Sequence, residues 1–289
     1  MAAKKFNARS LARGLFSIVI FLILWEIGSR SKRWLGADIF SPLREMLGAM
    51  GFKKTYLPWV GAVPAPTEVL QVWAGIITDT GYWQSWYKSF FRVLAGFATA
   101  MLIGIPFGLL LAVNRTAFGI GFPVFEVLRP IPPLAWVPAS IIFWPTQEMS
   151  IAFVTFLGAF YTIVINVVGG AKSIDVRFFQ AAQSMGSSRS DIFRRIILPG
   201  TLPSIMVGSA VGMGITWEVV VAAEMISGGG SQTGGTGGGG LGFFIWNSYV
   251  GGSYEQIVVG MISIGIAGFI SSELLRGLGK YVTPWLRLR

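Results

Sequence analysis

The 289-residue chain contains no cysteine and no histidine, which removes disulfide staples, thiolate nucleophiles, imidazole general bases and the common zinc sites together. Charge is scarce as well, with Lys, Arg, Asp and Glu supplying 12% of the residues. No cluster of carboxylates converges along the sequence, so a membrane-embedded enzyme is the least favoured function class. No lysine lies between Lys172 and Lys280, and no Gly-Lys-Ser or Gly-Lys-Thr occurs. The formal pattern Gly235-x-Gly237-x-x-Gly240 has no strand before it either, so it is not a nucleotide site; segment 228–242 is read as a flexible linker, with an anion-binding nest as the alternative.

What the chain does have is apolar surface. It is 53% hydrophobic, with a mean hydropathy of +0.64, and cannot form a water-soluble globule without exposing large apolar patches. The expected fold class is all-α: a polytopic membrane helical bundle forming a single membrane-spanning domain over 1–289. The net charge of +10 is spread between the apolar runs and suits anionic lipid headgroups, with no basic stripe for nucleic acid.

About six transmembrane helices are expected. Val93–Val113 and Met149–Ala171 carry no charge and meet the length requirement outright. Leu15–Gly28 follows Lys4, Lys5, Arg9 and Arg13 as a secretory signal would, but Ser29–Arg33 follows it without a small-residue cleavage site, so it is read as a retained first helix. Ile196–Trp217 and Gln256–Ser272 are similar runs, and Thr116–Gln147 is apolar but broken by prolines and charged at Glu126 and Arg129. Gly96, Gly104 and Gly108, like Gly208 and Gly212, recur at helical spacing and predict close helix packing.

Short loops rich in Lys and Arg place both termini in the cytoplasm and 173–199 with them. Segment 30–91 is then extracytoplasmic and interfacial, with Lys53–Pro66 extended and turn-rich, and Tyr82, Trp83, Trp86 and Tyr87 forming an aromatic belt.

Residues 173–199 read as a bent element outside the bilayer. Ser173 caps a short helix running to about Ser184 with Asp175 in its first turn, and Gly186 stops it. Ser188 with Asp191 three residues on opens a second short helix, and Pro199 and Pro203 mark the return into the membrane. Phe178, Phe179, Met185 and Phe193 then need a partner, or the underside of the bundle itself, to cover them.

The spacing Gln180-Ala181-Ala182, three residues, Gly186, nine residues, Ile196, one residue, Leu198-Pro199 resembles the Glu-Ala-Ala signature of permease subunits of bacterial ATP-binding-cassette importers. Gln180 stands where that family usually has Glu. Ser89–Gly96, Leu128–Pro138, Trp217 with Ala222–Met225, and Gly240–Trp246 extend the likeness to the members that import nitrate, bicarbonate, alkanesulfonates and taurine, and most of all to cyanobacterial nitrate and bicarbonate permeases. The resemblance implies the type I importer permease fold in a bacterial, cyanobacterial plasma membrane. It implies a second copy of the permease, two ATPase subunits and an extracytoplasmic substrate-binding protein as partners. Residues 173–199 would be the coupling helix that docks on the ATPase. This chain itself would be no enzyme and bind no cofactor or metal, with ATP and Mg on the partner subunits.

Nitrate or nitrite is the expected cargo, with bicarbonate, then an alkanesulfonate or taurine, as alternatives. A secondary anion transporter or channel would share the composition but show Gly/Pro-broken helices in two matching repeats, which are not seen. Candidate translocation-pathway residues are Arg129, Glu126, Trp217 and Glu224. Arg129 lies among Pro130, Pro132, Pro133 and Pro138, where freed backbone groups need a neighbouring helix or a water-filled path, and it would attract a monovalent anion. The alternatives are that Glu126 simply neutralises Arg129, that Glu224 caps, pairs or faces the outer gate, and that Trp217 packs or anchors at the interface. Glu218 and Glu224 both look buried.

Overall fold

A computed structural model describes residues 8–52, 56–58, 60–228 and 239–285, and among them every regular element is a helix. Five helices are long and apolar enough to cross a membrane, namely Ala12–Ser29, Thr80–Val113, Gln147–Lys172, Arg189–Ser227 and Tyr254–Val282. The basic residues Lys4, Lys5, Lys53, Lys54, Arg287 and Arg289, and the Gly235 and Gly237 pattern, lie outside the described residues. The chain groups into two compact units, Met1–Asp79 with Ser248–Val259, and Thr80–Asn247 with Gly260–Arg289.

The first unit contains α1 (Ala8–Ser29), α2 (Ser31–Leu35), α3 (Ser41–Ala49) and α4 (Pro66–Ile76). Glu26, near the end of α1, fixes the start of α4: its carboxylate accepts from the Thr67 backbone N–H at 3.3 Å and from Thr67 Oγ1 at 3.0 Å, and pairs with Arg30. Pro66 at the first helical turn and Glu68, which accepts from the Ala65 N–H at 3.1 Å, complete that helix start. The segment expected to be an interfacial connection therefore carries the helices Ser31–Leu35, Ser41–Ala49 and Pro66–Ile76, and among the described residues of the stretch read as extended and turn-rich there is a 3-10 turn at Val60–Ala62.

The second unit contains α5 (Thr80–Val113), α6 (Arg115–Leu128), α7 (Val137–Phe143), α8 (Gln147–Lys172), α9 (Val176–Ser184), α10 (Arg189–Ile192) and α11 (Leu198–Gly228), with α12 (Leu241–Val250) up to Asn247 and α13 (Tyr254–Val282) from Gly260 on. Glycines set the packing. Gly96 lies against Thr155, Gly104 against Ile163 and Gly108 against Val167, so equal steps forward on α5 match equal steps forward on α8 and the two run parallel. Gly158 meets Ile215 and Val219 while Gly170 meets Thr201 and Ser204, so α8 and α11 run antiparallel. Trp217 lies against Gly268 and Met206 against Gly279, which makes α13 antiparallel to α11.

Two successive long helices that run parallel require the chain to travel back the full length between them. Residues 114–146 make that return, so the expected sixth span exists as a broken crossing of α6, a 3-10 turn at Pro133–Trp136, and α7. Pro130, Pro132 and Pro133 are the reason it is not one helix, since each removes a backbone donor and crowds the preceding turn. The core at the meeting of α5, α8 and α11 is formed by Val93, Phe97, Ile151, Val154, Ile163 and Trp217.

Three local expectations change. Ser173 ends α8 and the cap of α9 is Asp175. The second short helix does not stand alone: after α10 the chain passes through one wide π turn at Phe193–Ile197 and continues as α11. There the Leu198 N–H reaches back to the Phe193 carbonyl, and the widened turn relieves the crowding that the Pro199 ring would impose. Tyr82, placed in an interfacial belt, is buried and shares a hydrogen bond of 2.7 Å with Ser263, whereas Trp83 and Tyr87 are exposed.

Gly108→Leu is expected to destabilise the protein by about 1–3 kcal/mol, because a Cβ there already comes within 2.8 Å of Val167. Gly75→Ala, whose added carbon meets nothing within 4 Å, is expected to be neutral or slightly stabilising. Unfolding midpoints in detergent compare the two.

Candidate functional site

Three places in the second unit carry polar chemistry, and the first is the elbow between α8 and α11. Asp175 caps α9, accepting from the Arg177 N–H at 2.9 Å and pairing with the Arg177 side chain; that guanidinium, more than the backbone bond, holds the Asp175 carboxyl below its usual range. Gly186 ends the helix at φ +73°, a left-handed conformation that a side chain would strain. Ser188 Oγ accepts from the Asp191 N–H at 3.2 Å and donates to the Asp191 carboxylate, a reciprocal cap that starts α10.

On this frame Gln180, Ala181 and Gly186 are exposed, Ala182 is buried, Ile196 and Pro199 are half-buried and Leu198 is exposed. Phe178 and Met185 stand 63% and 77% exposed, so a short, rigid, partly apolar surface projects from the end of the bundle.

At the opposite end of α5 and α8 lies a buried ionic node. Glu224, on α11 and fully enclosed, accepts from Arg92 Nη1 at 2.9 Å, from Ser89 Oγ at 2.8 Å and from the Gly242 N–H at 2.9 Å. Ser89 Oγ in turn accepts from the Leu241 N–H at 2.8 Å. One carboxylate thus holds α5, α11 and the first turn of α12, with Gly240 at φ +132° because a side chain there would collide with it. The other edge of the Arg92 guanidinium faces Glu148, in the first turn of α8, through Nε at 2.8 Å and Nη2. Arg92 is 6% exposed and Glu148 57% exposed, so the node is closed on the Glu224 side and open on the Glu148 side.

Between the two ends lies a cleft of about 350 Å³ lined by Arg129, Pro133, Tyr161, Thr162, Val211 and Ile215. Arg129 Nη1 donates to Glu126 at 3.0 Å and both side chains are nearly half exposed. Trp217 and Glu224 do not line this cleft: Trp217 is buried and donates from Nε1 to Ser271 at 3.0 Å, and Glu224 belongs to the node. Glu218, expected to be buried, is exposed, because it falls on the same uncovered stripe of α11 as Val207, Val211 and Gly214. No ion pair is made to it among the described residues.

The residues that the sequence left out are Arg92 and Glu148. Their signal was a basic residue inside the Ser89–Gly96 motif and an acid at the head of an otherwise uncharged span; neither shows which partner it meets. Among the described residues no group of three His, Cys, Asp or Glu is arranged to hold a metal ion.

Against known proteins, the chain matches the family described as binding-protein-dependent transport system inner membrane component over residues 104–288. It is 34% identical to the nitrate import permease protein NrtB of Leptolyngbya laminosa, over 72% of this chain and 71% of the relative. It is 32% identical to the taurine transport system permease protein TauC of Escherichia coli, over 77% of this chain and 80% of the relative. The bicarbonate transport system permease protein CmpB of Synechococcus elongatus is 31% identical, over 70% of this chain and 69% of the relative. Among solved structures, an inward-facing conformation of the MetNI methionine ABC transporter shares the fold with a TM-score of 0.54 at 21% identity, covering 70% of this chain and 94% of that one.

Removing one member of a buried ion pair leaves the other charge uncompensated, so Glu224→Leu is expected to cost about 3–5 kcal/mol. Adding Arg92→Leu to that variant should restore part of the loss, read as unfolding midpoints in detergent. A double variant no more stable than Glu224→Leu alone contradicts the pairing.

Proposed function

Since the chain belongs to the binding-protein-dependent transport system inner membrane component family, as a multi-pass permease subunit of an ATP-binding-cassette importer, we propose that its cargo is a small oxyanion, nitrate or nitrite first. Two ATPase subunits, an external binding protein and a second copy of this chain complete the machine in this reading. The observation that carries it is the charged cleft. Arg129 and Glu126, with Glu218 on the neighbouring stripe of α11, are exposed on spanning segments that are otherwise apolar, and charge facing lipid is expensive. Such a face is covered by water and a second copy, which makes it the wall of a path.

Arg129 attracts the anion there and Glu126 keeps the attraction shallow, so that the ion binds weakly enough to leave. Trp217 and Glu224 act behind the wall, holding α13 and α12 to α11. The elbow at Gln180, Ala181, Ala182 and Gly186, continued through Ile196, Leu198 and Pro199, is the coupling helix. Its exposed Phe178 and Met185 seat in the ATPase, and Gln180 keeps hydrogen-bonding capacity without the charge of Glu.

Nitrate, bicarbonate and the taurine sulfonate share an anionic XO₂ group, which is why relatives with these different cargoes support one chemical class. The Gly240–Trp246 segment is most similar to nitrate and bicarbonate permeases, and of these two readings nitrate is placed first and bicarbonate second. N- and C-termini are placed in the cytoplasm, with the Arg92 node at the outer end.

Reconstituted with its ATPases and binding protein in proteoliposomes, the assembly should take up labelled nitrate only with ATP. Arg129→Gln should lower uptake roughly tenfold while the assembly still forms, since tenfold corresponds to one lost ionic contact of about 1.4 kcal/mol. Uptake unchanged in that variant removes Arg129 from the path, and uptake of bicarbonate in place of nitrate selects the second reading.

A further inference from the structure

The Arg92 guanidinium is held by an enclosed carboxylate on one edge and by an exposed one on the other. Nη1 is committed to the enclosed Glu224 and to the Gly239 carbonyl, a contact that cannot open without stranding a buried charge. Nε and Nη2, the parallel pair of donors that recognises a two-oxygen anion, point the other way, and Glu148 fills them with its two oxygens. Glu148 is 57% exposed where Glu224 is fully enclosed, so of the two carboxylates it is the one that water reaches and can solvate on release. The outer carboxylate is thus the one that can leave.

When it leaves, the vacated donors open on a cleft of about 420 Å³ lined by Tyr87, Lys88, Phe91, Ala95 and Met149. Lys88 puts a second positive charge on that cleft, and the head of α8 adds the positive end of a helix dipole. A carboxylate, nitrate, bicarbonate and a sulfonate all present two oxygens at the spacing of this fork, so any of them replaces the Glu148 carboxylate contact for contact.

We infer that Arg92 is a second binding site for a small XO₂ oxyanion, separate from Arg129, with the Glu148 side chain as its resident and exchangeable occupant. The inference rests on the anion-importer reading for its ligand class, and it adds a step: an anion arriving at this end of α5 and α8 displaces Glu148, and the return of Glu148 expels it. Competition by a tethered carboxylate keeps the affinity low, as release requires.

The test is direct binding, so that it stands apart from transport. The full chain, purified in its assembly with the ATPases in zwitterionic-lipid nanodiscs, is equilibrium-dialysed against labelled nitrate, with bicarbonate, methanesulfonate and chloride as competitors at constant ionic strength. Saturable nitrate binding, displaced by bicarbonate and methanesulfonate but not by chloride, is expected. Glu148→Gln, which weakens the resident, should tighten it about tenfold, and Arg92→Lys, which keeps charge but loses the fork, should abolish it.

Equal affinity in wild type and Glu148→Gln overturns the inference even if the assembly imports nitrate. An assembly that imports nothing but shows the expected binding pattern keeps this site and rejects the importer reading. A lipid phosphate carries the same oxygens: nitrate binding that persists in discs containing phosphatidylglycerol supports the soluble anion, and nitrate binding lost there overturns it in favour of lipid.

Discussion

The contact on which the second unit depends is the enclosed pair between Arg92 and Glu224. Three spanning helices and the first turn of α12 converge on it, and its hydrogen bonds saturate groups that lipid-like surroundings would otherwise punish. Glu224 accepts from an arginine, a serine hydroxyl and a backbone N–H, which is how a carboxyl group is accommodated in an otherwise apolar span. The other edge of Arg92 is taken by Glu148, so a guanidinium anchored by an enclosed carboxylate presents its second pair of donors to an exposed one in a fixed position.

Around that contact the glycines decide how closely the helices approach. Gly96 and Gly108 bring α5 onto α8 in parallel, and Gly170 and Gly212 bring α11 back along α8 in the opposite direction. The parallel pair is what forces residues 114–146 to return across the unit, and the prolines in that return leave backbone and the Arg129 side chain at mid-depth. The cleft is therefore a by-product of topology: a broken crossing beside two intact ones leaves room that an unbroken helix would fill.

Much of this was legible in the chain, and the reasons are local. Uncharged runs such as Val93–Val113 mark spans because length and composition alone decide them. The elbow was readable because caps, a left-handed glycine and prolines act over a few residues, although Asp175 took the capping role expected of Ser173 and the π turn at Phe193–Ile197 left no signal that joined α10 to α11. Pairings across the sequence were not readable. Nothing near Arg92 announces Glu148, 56 residues on, or Glu224, 132 residues on. Glu218 misled for the same reason, since an acid in an apolar run looks buried until the face that carries it is known.

The wide turn at Phe193–Ile197 has a mechanical meaning. A helix that holds one residue more than its hydrogen-bond ladder uses can shed or shift that residue without unfolding, and each residue turns everything beyond it by about 100°. A push on the elbow therefore need not only tilt α11; it can screw it, carrying the stripe of Val207, Val211 and Glu218 around the axis so that a different set of side chains meets whatever lies alongside.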